Sequence, residues 1–176
     1  MSELRRLTSE YVDFEDRIRL TGEGEDGQRV ILWLTRRLLD RLVPHLVDWL
    51  ERKGRASPDE RPSPVPAARQ EALQSFAQEA VQASMRPEPP VQAHLAERAW
   101  LVRSVDLATN PGVPSLNFKG FLEIEQVRFS PGEAALRQWL GILHGLYGRA
   151  GWPQEVWPGW MAGEPRPGVS GEQTLH

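Results

Sequence analysis

Tyr11-Val-Asp-Phe-Glu-Asp-Arg-Ile-Arg-Leu20 sets Val12, Phe14, Ile18 and Leu20 on one side and Asp13, Glu15, Arg17 and Arg19 on the other. A period of two is the signature of a strand with one buried face. Only Asp16 interrupts it. Gly22-Glu-Gly-Glu-Asp-Gly27 then supplies the glycines and acidic turn formers of a hairpin connection, and Arg29 to Leu34 returns as a second, β-branched and aromatic strand. Cross-strand partners share a face, so Val30, Leu32 and Leu34 are expected beside the apolar residues of the first strand. Ile31 and Trp33 then turn outward, beside Arg17 and Arg19.

Thr35 is placed to cap a helix over Arg36 to Lys53. There Leu38, Leu39, Leu42, Val43, Leu46, Val47, Trp49 and Leu50 recur at three- and four-residue spacing, and Gly54 stands at the C-cap position. Pro44 predicts a kink or a split in that helix. The prolines of residues 55–67 predict an extended, exposed linker. A second helix is predicted over Ala68 to Met85, with Leu73, Phe76, Ala77, Ala80 and Val81 as its apolar stripe.

Ala99 to Ala108 reads as a strand ended by the turn Asn110-Pro-Gly-Val-Pro114, and Leu116 to Phe129 as one long strand with a bulge near Gly120. Ser130-Pro-Gly-Glu133 matches a capping box and predicts a helix from Pro131, with its stop near Gly148 or Gly151. The plan of two strands and a helix thus recurs. It predicts an α+β fold: an antiparallel sheet of about four strands, two helices packed on one face, and the helix at 68–85 as an extra element. Residues 1–162 are read as one domain and 163–176 as a disordered tail.

A net charge of −3 speaks against strong non-specific attraction to nucleic acid or anionic membrane. The absence of cysteine excludes disulfides, thiolate catalysis and thiolate metal sites. No apolar run approaches the roughly 18–20 residues a membrane span needs, and the first residues lack a signal-peptide core, so a cytoplasmic protein is expected.

Gly22-x-Gly24-x-x-Gly27 spells a dinucleotide fingerprint, but a strand follows it where that motif requires a helix, and Glu23, Glu25 and Asp26 would repel phosphates. The pairs Asp13 with Glu15 and Glu123 with Glu125 project from one side of their predicted strands. Two carboxylates could hold a hard cation there, but no lysine accompanies them and a solvated strand face accounts for both. His45 and His144 fall within helices and have no i, i+4 ligand partner. No cofactor is expected.

Tryptophans 33, 49, 100, 139, 152, 157 and 160 are many for this length, and most read as core. The candidate interface residues are Trp33, Ile31, Arg17 and Arg19 on the outward strand face, and Trp152, Trp157 and Trp160 in the tail, which dock either on the chain itself or on a partner. These residues point to a non-enzymatic, self-associating protein-interaction module. The alternative is a single-strand nucleic-acid binder that uses an Arg/aromatic sheet face.

Overall fold

The computed structural model describes residues 2–53, 66–110 and 112–162. Two strands, β1 (Ser2–Val12) and β2 (Arg17–Gly24), divide the stretch that alternation reads as one. The division falls where the pattern breaks. Asp13–Glu15 form a 3-10 turn, and Asp16 adopts the left-handed conformation, φ 48°, that reverses the chain. Aspartate is among the few non-glycine residues that enter this region readily. Phe14 rides on the turn and is exposed, not set on the covered face. β1 is not legible by alternation because Leu4 and Leu7, three residues apart, both reach the core. A bulge between Leu4 and Arg6 shifts the register between them.

The sheet is therefore not four-stranded, nor is it purely antiparallel. With β3 (Arg29–Thr35), β4 (Arg98–Leu101), β5 (Ser104–Asn110), β6 (Val113–Lys119) and β7 (Gln126–Phe129) it has seven strands in the order β4-β3-β2-β1-β7-β6-β5. β1 with β7 and β3 with β4 are parallel; the other neighbours are antiparallel.

The strand expected over 99–108 is in fact two, β4 and β5, which lie at opposite ends of that order yet are separated only by Val102 and Arg103. The Val102 N–H donates to the Trp33 carbonyl at 2.9 Å and the Arg103 N–H to the Lys119 carbonyl at 2.8 Å. This corner links the two ends of the sheet, so the sheet curls enough to bring the end of β4 near the start of β5. The expected bulged strand over 116–129 is likewise β6, a loop from Gly120 to Glu125, and β7. β1–β2–β3 with the helix at Arg36–Lys53, and β5–β6–β7 with the helix at Glu133–Ala150, thus each run as three sequential strands and a helix, with the helix at Ala67–Ser84 and β4 between the two units.

The helices are α1 (Arg36–Lys53), α2 (Ala67–Ser84) and α3 (Glu133–Ala150). The Thr35 hydroxyl accepts the Leu38 N–H at 3.2 Å and so caps α1. α1 buries Leu39, Leu42, Val43, Leu46, Val47 and Leu50. Each contributes about 1.5–3 kcal/mol, which together outweighs the roughly 3 kcal/mol that an interior proline costs, and the helix runs on through Pro44.

The capping box at Ser130 does not form. Its hydroxyl bonds Ser115 at 3.3 Å, the helix starts at Glu133 behind Gly132, and the Glu133 carboxylate turns to Arg137 instead. Gly151, φ 64°, closes α3. α1 and α3 cover the inner sheet face, where Ile18, Leu20, Leu32, Leu34, Leu116, Phe118, Leu140 and Leu143 form the dry centre.

α2 lies outside this layer, against α3, and its buried residues are Gln74 and Gln78. Its apolar stripe does not face the protein as a whole: Leu73 and Phe76 are 56% and 72% exposed. The predicted linker falls outside the described residues except at its end, and so does the tail from 163. Among the described residues no helix is long and apolar enough to cross a membrane.

Candidate interaction site

The outward columns of β1, β2 and β3 are set by register: Glu10 lies beside Arg19 and Arg19 beside Trp33, while Thr8, Thr21 and Ile31 form the next row. Val30, Leu32 and Leu34 are buried, and Ile31 and Trp33 are half-buried on the opposite side. The Arg19 guanidinium lies 6.0 Å from the Trp33 ring centre and donates to Glu10 at 2.9 Å. Arg17 meets Glu15 at 3.4 Å. Arg6 and Arg29 share Glu23, at 2.9 and 2.7 Å. Arg6, Arg17, Arg19 and Arg29 are thus each matched by a carboxylate.

A proline-rich strap, residues 86–97, crosses the Arg6–Arg29 end of the same face. Val91 is buried there and its N–H donates to Thr8 Oγ1 at 2.8 Å; the Pro89 carbonyl accepts from Arg6 at 2.6 Å; the Glu97 N–H reaches the Arg29 carbonyl at 3.3 Å. Arg6, Glu23, Arg29 and the strap enclose a shallow cavity of about 390 Å³. The strap leaves the Trp33 end of the face open.

The tail tryptophans are elsewhere. Trp152, Trp157 and Trp160 are buried by this chain's own elements. Trp152 and Trp157 set their rings edge-on to Tyr147 at 5.0 and 5.2 Å, and the Trp160 Nε1–H donates to Glu51 at 3.0 Å. Burial pushes the Tyr147 hydroxyl well above its ordinary range, and its bond to Asp40, 2.9 Å, adds to the shift. These three rings are each at most 8% exposed and pack within this chain's own core.

At the open end, β4 continues the face. Leu101 pairs with Trp33 and is half-exposed, and Arg103, two residues on at the corner, is exposed with its guanidinium 5.8 Å from the Phe121 ring. Phe121 opens the loop between β6 and β7, where it is 82% exposed with Leu122 at 56% and Ile124 at 73%. The loop is firmly held. The Glu125 carboxylate accepts the N–H groups of Phe121 and Leu122 at 2.7 and 3.0 Å, and its backbone carbonyl accepts the Gly120 N–H at 2.8 Å. Glu125 is therefore a clamp within a loop rather than one of two carboxylates on a strand. Asp13, bonded to the Phe14 N–H at 2.8 Å, plays a similar part in its turn.

An apolar and aromatic band thus runs Trp33, Leu101, Arg103, Phe121 and ends on Leu122 and Ile124. The structure places Trp33 on the outward face, as its register predicts, whereas Phe121, Leu122 and Ile124 read in sequence as strand residues and stand instead on a loop. The signal that could have found them is Gly120: a Cβ there would lie 2.6 Å from the Trp100 ring, so glycine marks a close approach at a reversal.

No protein-family model matches this chain, and no curated protein or solved structure is significantly similar to it.

A second groove, about 710 Å³, lies between α1 and β5 and is lined by Trp49, Val105 and Leu107 with His45, Arg52 and Lys53. Its cations are engaged: Arg52 with Asp48, and Lys53 with Glu133 at 3.5 Å and the Trp49 ring at 5.0 Å. Among the described residues no three His, Asp or Glu side chains converge as metal ligands.

Proposed function

We propose that this chain is a non-enzymatic protein-interaction module that associates with further copies of itself through the band from Trp33 to the Phe121 loop. The observation that carries this reading is the clamp. Three large apolar side chains project into solvent from a loop whose backbone donors are tied by Glu125, so they are presented in a fixed arrangement and lose little entropy on docking. Contiguous exposed apolar surface is the usual mark of a contact site, and a half-buried tryptophan beside it is the residue type that dominates such contacts.

The nucleic-acid reading has less support. A strand-binding face needs unmatched positive charge. Here Arg6, Arg17, Arg19 and Arg29 are matched by Glu10, Glu15 and Glu23, which leaves Arg103 as the band's one cation without a carboxylate partner among the described residues, and Glu123 and Glu125 add negative charge to the loop itself. Leu101, Leu122 and Ile124 offer no ring for a base to stack on.

Light scattering at equal concentration tests the proposal. The wild-type protein is expected above monomer mass, and Phe121→Ser/Ile124→Ser and Trp33→Ala are expected to lower it while leaving the circular dichroism unchanged. Unchanged mass in both variants, with loss of binding to a labelled single-stranded oligonucleotide, would promote the alternative.

A further inference from the structure

α2 is built inside out. A helix on the surface of a domain normally turns its apolar stripe inward, yet the residues α2 buries are Gln74 and Gln78. Its rotation is fixed by what they hold. Gln74 Oε1 accepts from the Arg137 guanidinium at 2.7 Å, Gln78 Nε2 donates to the Arg137 carbonyl at 3.0 Å, and Gln74 Nε2 reaches the Leu50 carbonyl at 3.4 Å. Turning Leu73 and Phe76 inward would break these buried bonds, so their exposure is a fixed property of the fold.

We infer that the outer face of α2 is a self-contact, in which α2 of one copy lies antiparallel on α2 of a second copy about a two-fold axis level with Gln74 and Ser75. Helical spacing puts Arg69, Ala72, Leu73, Phe76, Ala80 and Glu79 on or beside the face opposite Gln74 and Gln78. About that axis Leu73 meets Phe76 of the second copy, and the reverse. Phe76 also lies over Ala72 of the second copy, a large side chain on a small one, and Ala80 keeps the approach close. Arg69 falls beside Glu79 of the second copy, twice by symmetry, which is the self-complementarity an isologous contact requires. Neither Arg69 nor Glu79 forms an ion pair among the described residues.

The large aliphatic side chains of residues 54–65 and 163–176 are Val65, Val169 and Leu175, whereas a second α2 offers both a matching Leu73–Phe76 pair and the complementary charges of Arg69 and Glu79. This surface is distinct from the Trp33–Phe121 band, so with both in use each copy has two self-contacts.

Sedimentation of the full chain separates the two. In the Phe121→Ser/Ile124→Ser background, where only α2 remains, a dimer is expected. Adding Phe76→Asp should yield a folded monomer. Adding Arg69→Glu should weaken the dimer about tenfold, by replacing two attractive pairs with repulsive ones, and adding Glu79→Arg to that variant should restore it. Arg69 and Glu79 lie ten positions apart on one helix and cannot touch each other, so rescue arises only between copies and only in the antiparallel arrangement. A loop-variant background that is already monomeric, or an Arg69→Glu/Glu79→Arg protein as weak as Arg69→Glu alone, overturns the α2 contact. If the loop variant keeps full wild-type mass while Phe76→Asp abolishes association, α2 stands and the band reading fails.

Discussion

The Trp152 Nε1–H donates to the Asp16 carboxylate at 2.8 Å, joining residues 136 positions apart. Tyr11 donates to the same oxygen at 3.0 Å, and its ring meets the Trp152 ring edge-on at 5.7 Å. The left-handed residue that separates β1 from β2 is therefore also the anchor of the tail. The two bonds, Trp152 first and Tyr11 second, hold the Asp16 carboxyl below its ordinary value of 3.8. A carboxylate whose folded pKa is lowered contributes stability above its unfolded pKa, and that contribution is lost as pH falls through the folded one.

We therefore predict that the tryptophan emission of the wild-type protein shifts as pH falls below about 3.8. Asp16→Asn keeps an acceptor oxygen and tolerates the left-handed conformation but cannot titrate, so its acid profile should be flatter. Asp16→Ala should lower the melting temperature at neutral pH through lost bonds and a strained backbone. An Asp16→Asn profile as steep as that of the wild type would refute the assignment.

His144 gives the second pH effect. Its ring lies 5.2 Å from Trp157, and burial lowers its pKa from 6.5. In the window between that value and the lower folded one the unfolded chain binds the extra proton, so stability is lost as the pH is lowered. The melting temperature should be lower at pH 5 than at pH 7.5, and His144→Gln should show a smaller difference. Equal slopes in the two proteins would place the pH dependence on other groups.

The parts of the fold that could be read from sequence are those where one physical rule acts alone. α1 is legible because its stripe faces the core and Thr35 caps it. Alternation marks β2 and β3 for the same reason, and even its failure at Asp16 carried information, since that residue is the turn. β1 is hidden by the bulge at Arg5, which puts Leu4 and Leu7 in phase at a spacing alternation does not allow. The corner at Val102–Arg103 is hidden because its two halves are continuous in sequence and separate only in their pairing partners, a non-local fact. Of the candidate site, Trp33 was visible from register, whereas the outward face of α2 follows from a buried Gln–Arg network that no periodicity encodes.

Gly120 tests the clamped loop. Its missing Cβ leaves room for the Trp100 ring, which would lie 2.6 Å away, and for Glu125. Gly120→Ala should force one of them to move, at a cost of about 1–3 kcal/mol. If Glu125 gives way, the amides of Phe121 and Leu122 lose their acceptor, exchange faster with solvent, and self-association weakens. Glu125→Ala should reproduce the exchange and association effects with a smaller loss of stability, because the Trp100 contact is untouched. A Gly120→Ala protein as stable as the wild type, with unchanged exchange, would show that the loop is not held in this way.

Arg137 offers the clearest measurement of how α2 is attached. It is buried, donates to Gln74 at 2.7 Å and to Glu133 at 3.2 Å, and its guanidinium lies 5.7 Å from the Trp160 ring centre. Arg137→Met keeps most of the side-chain volume against Trp160 but leaves Gln74 Oε1 buried without a donor. Glu133 is partly exposed and can turn to water or Lys53, so the main cost is the orphaned amide, about 1–3 kcal/mol. Because α3 also packs on β1 and on the tail rings, the loss should appear locally: the amides of α2 exchange faster while those of α3 change little. Gln74→Leu combined with Arg137→Met removes both polar partners together and should recover part of the stability, giving a coupling of about 0.5–3 kcal/mol. Independent, additive losses, or α2 amides that stay protected in Arg137→Met, would show that the helix is held by other contacts.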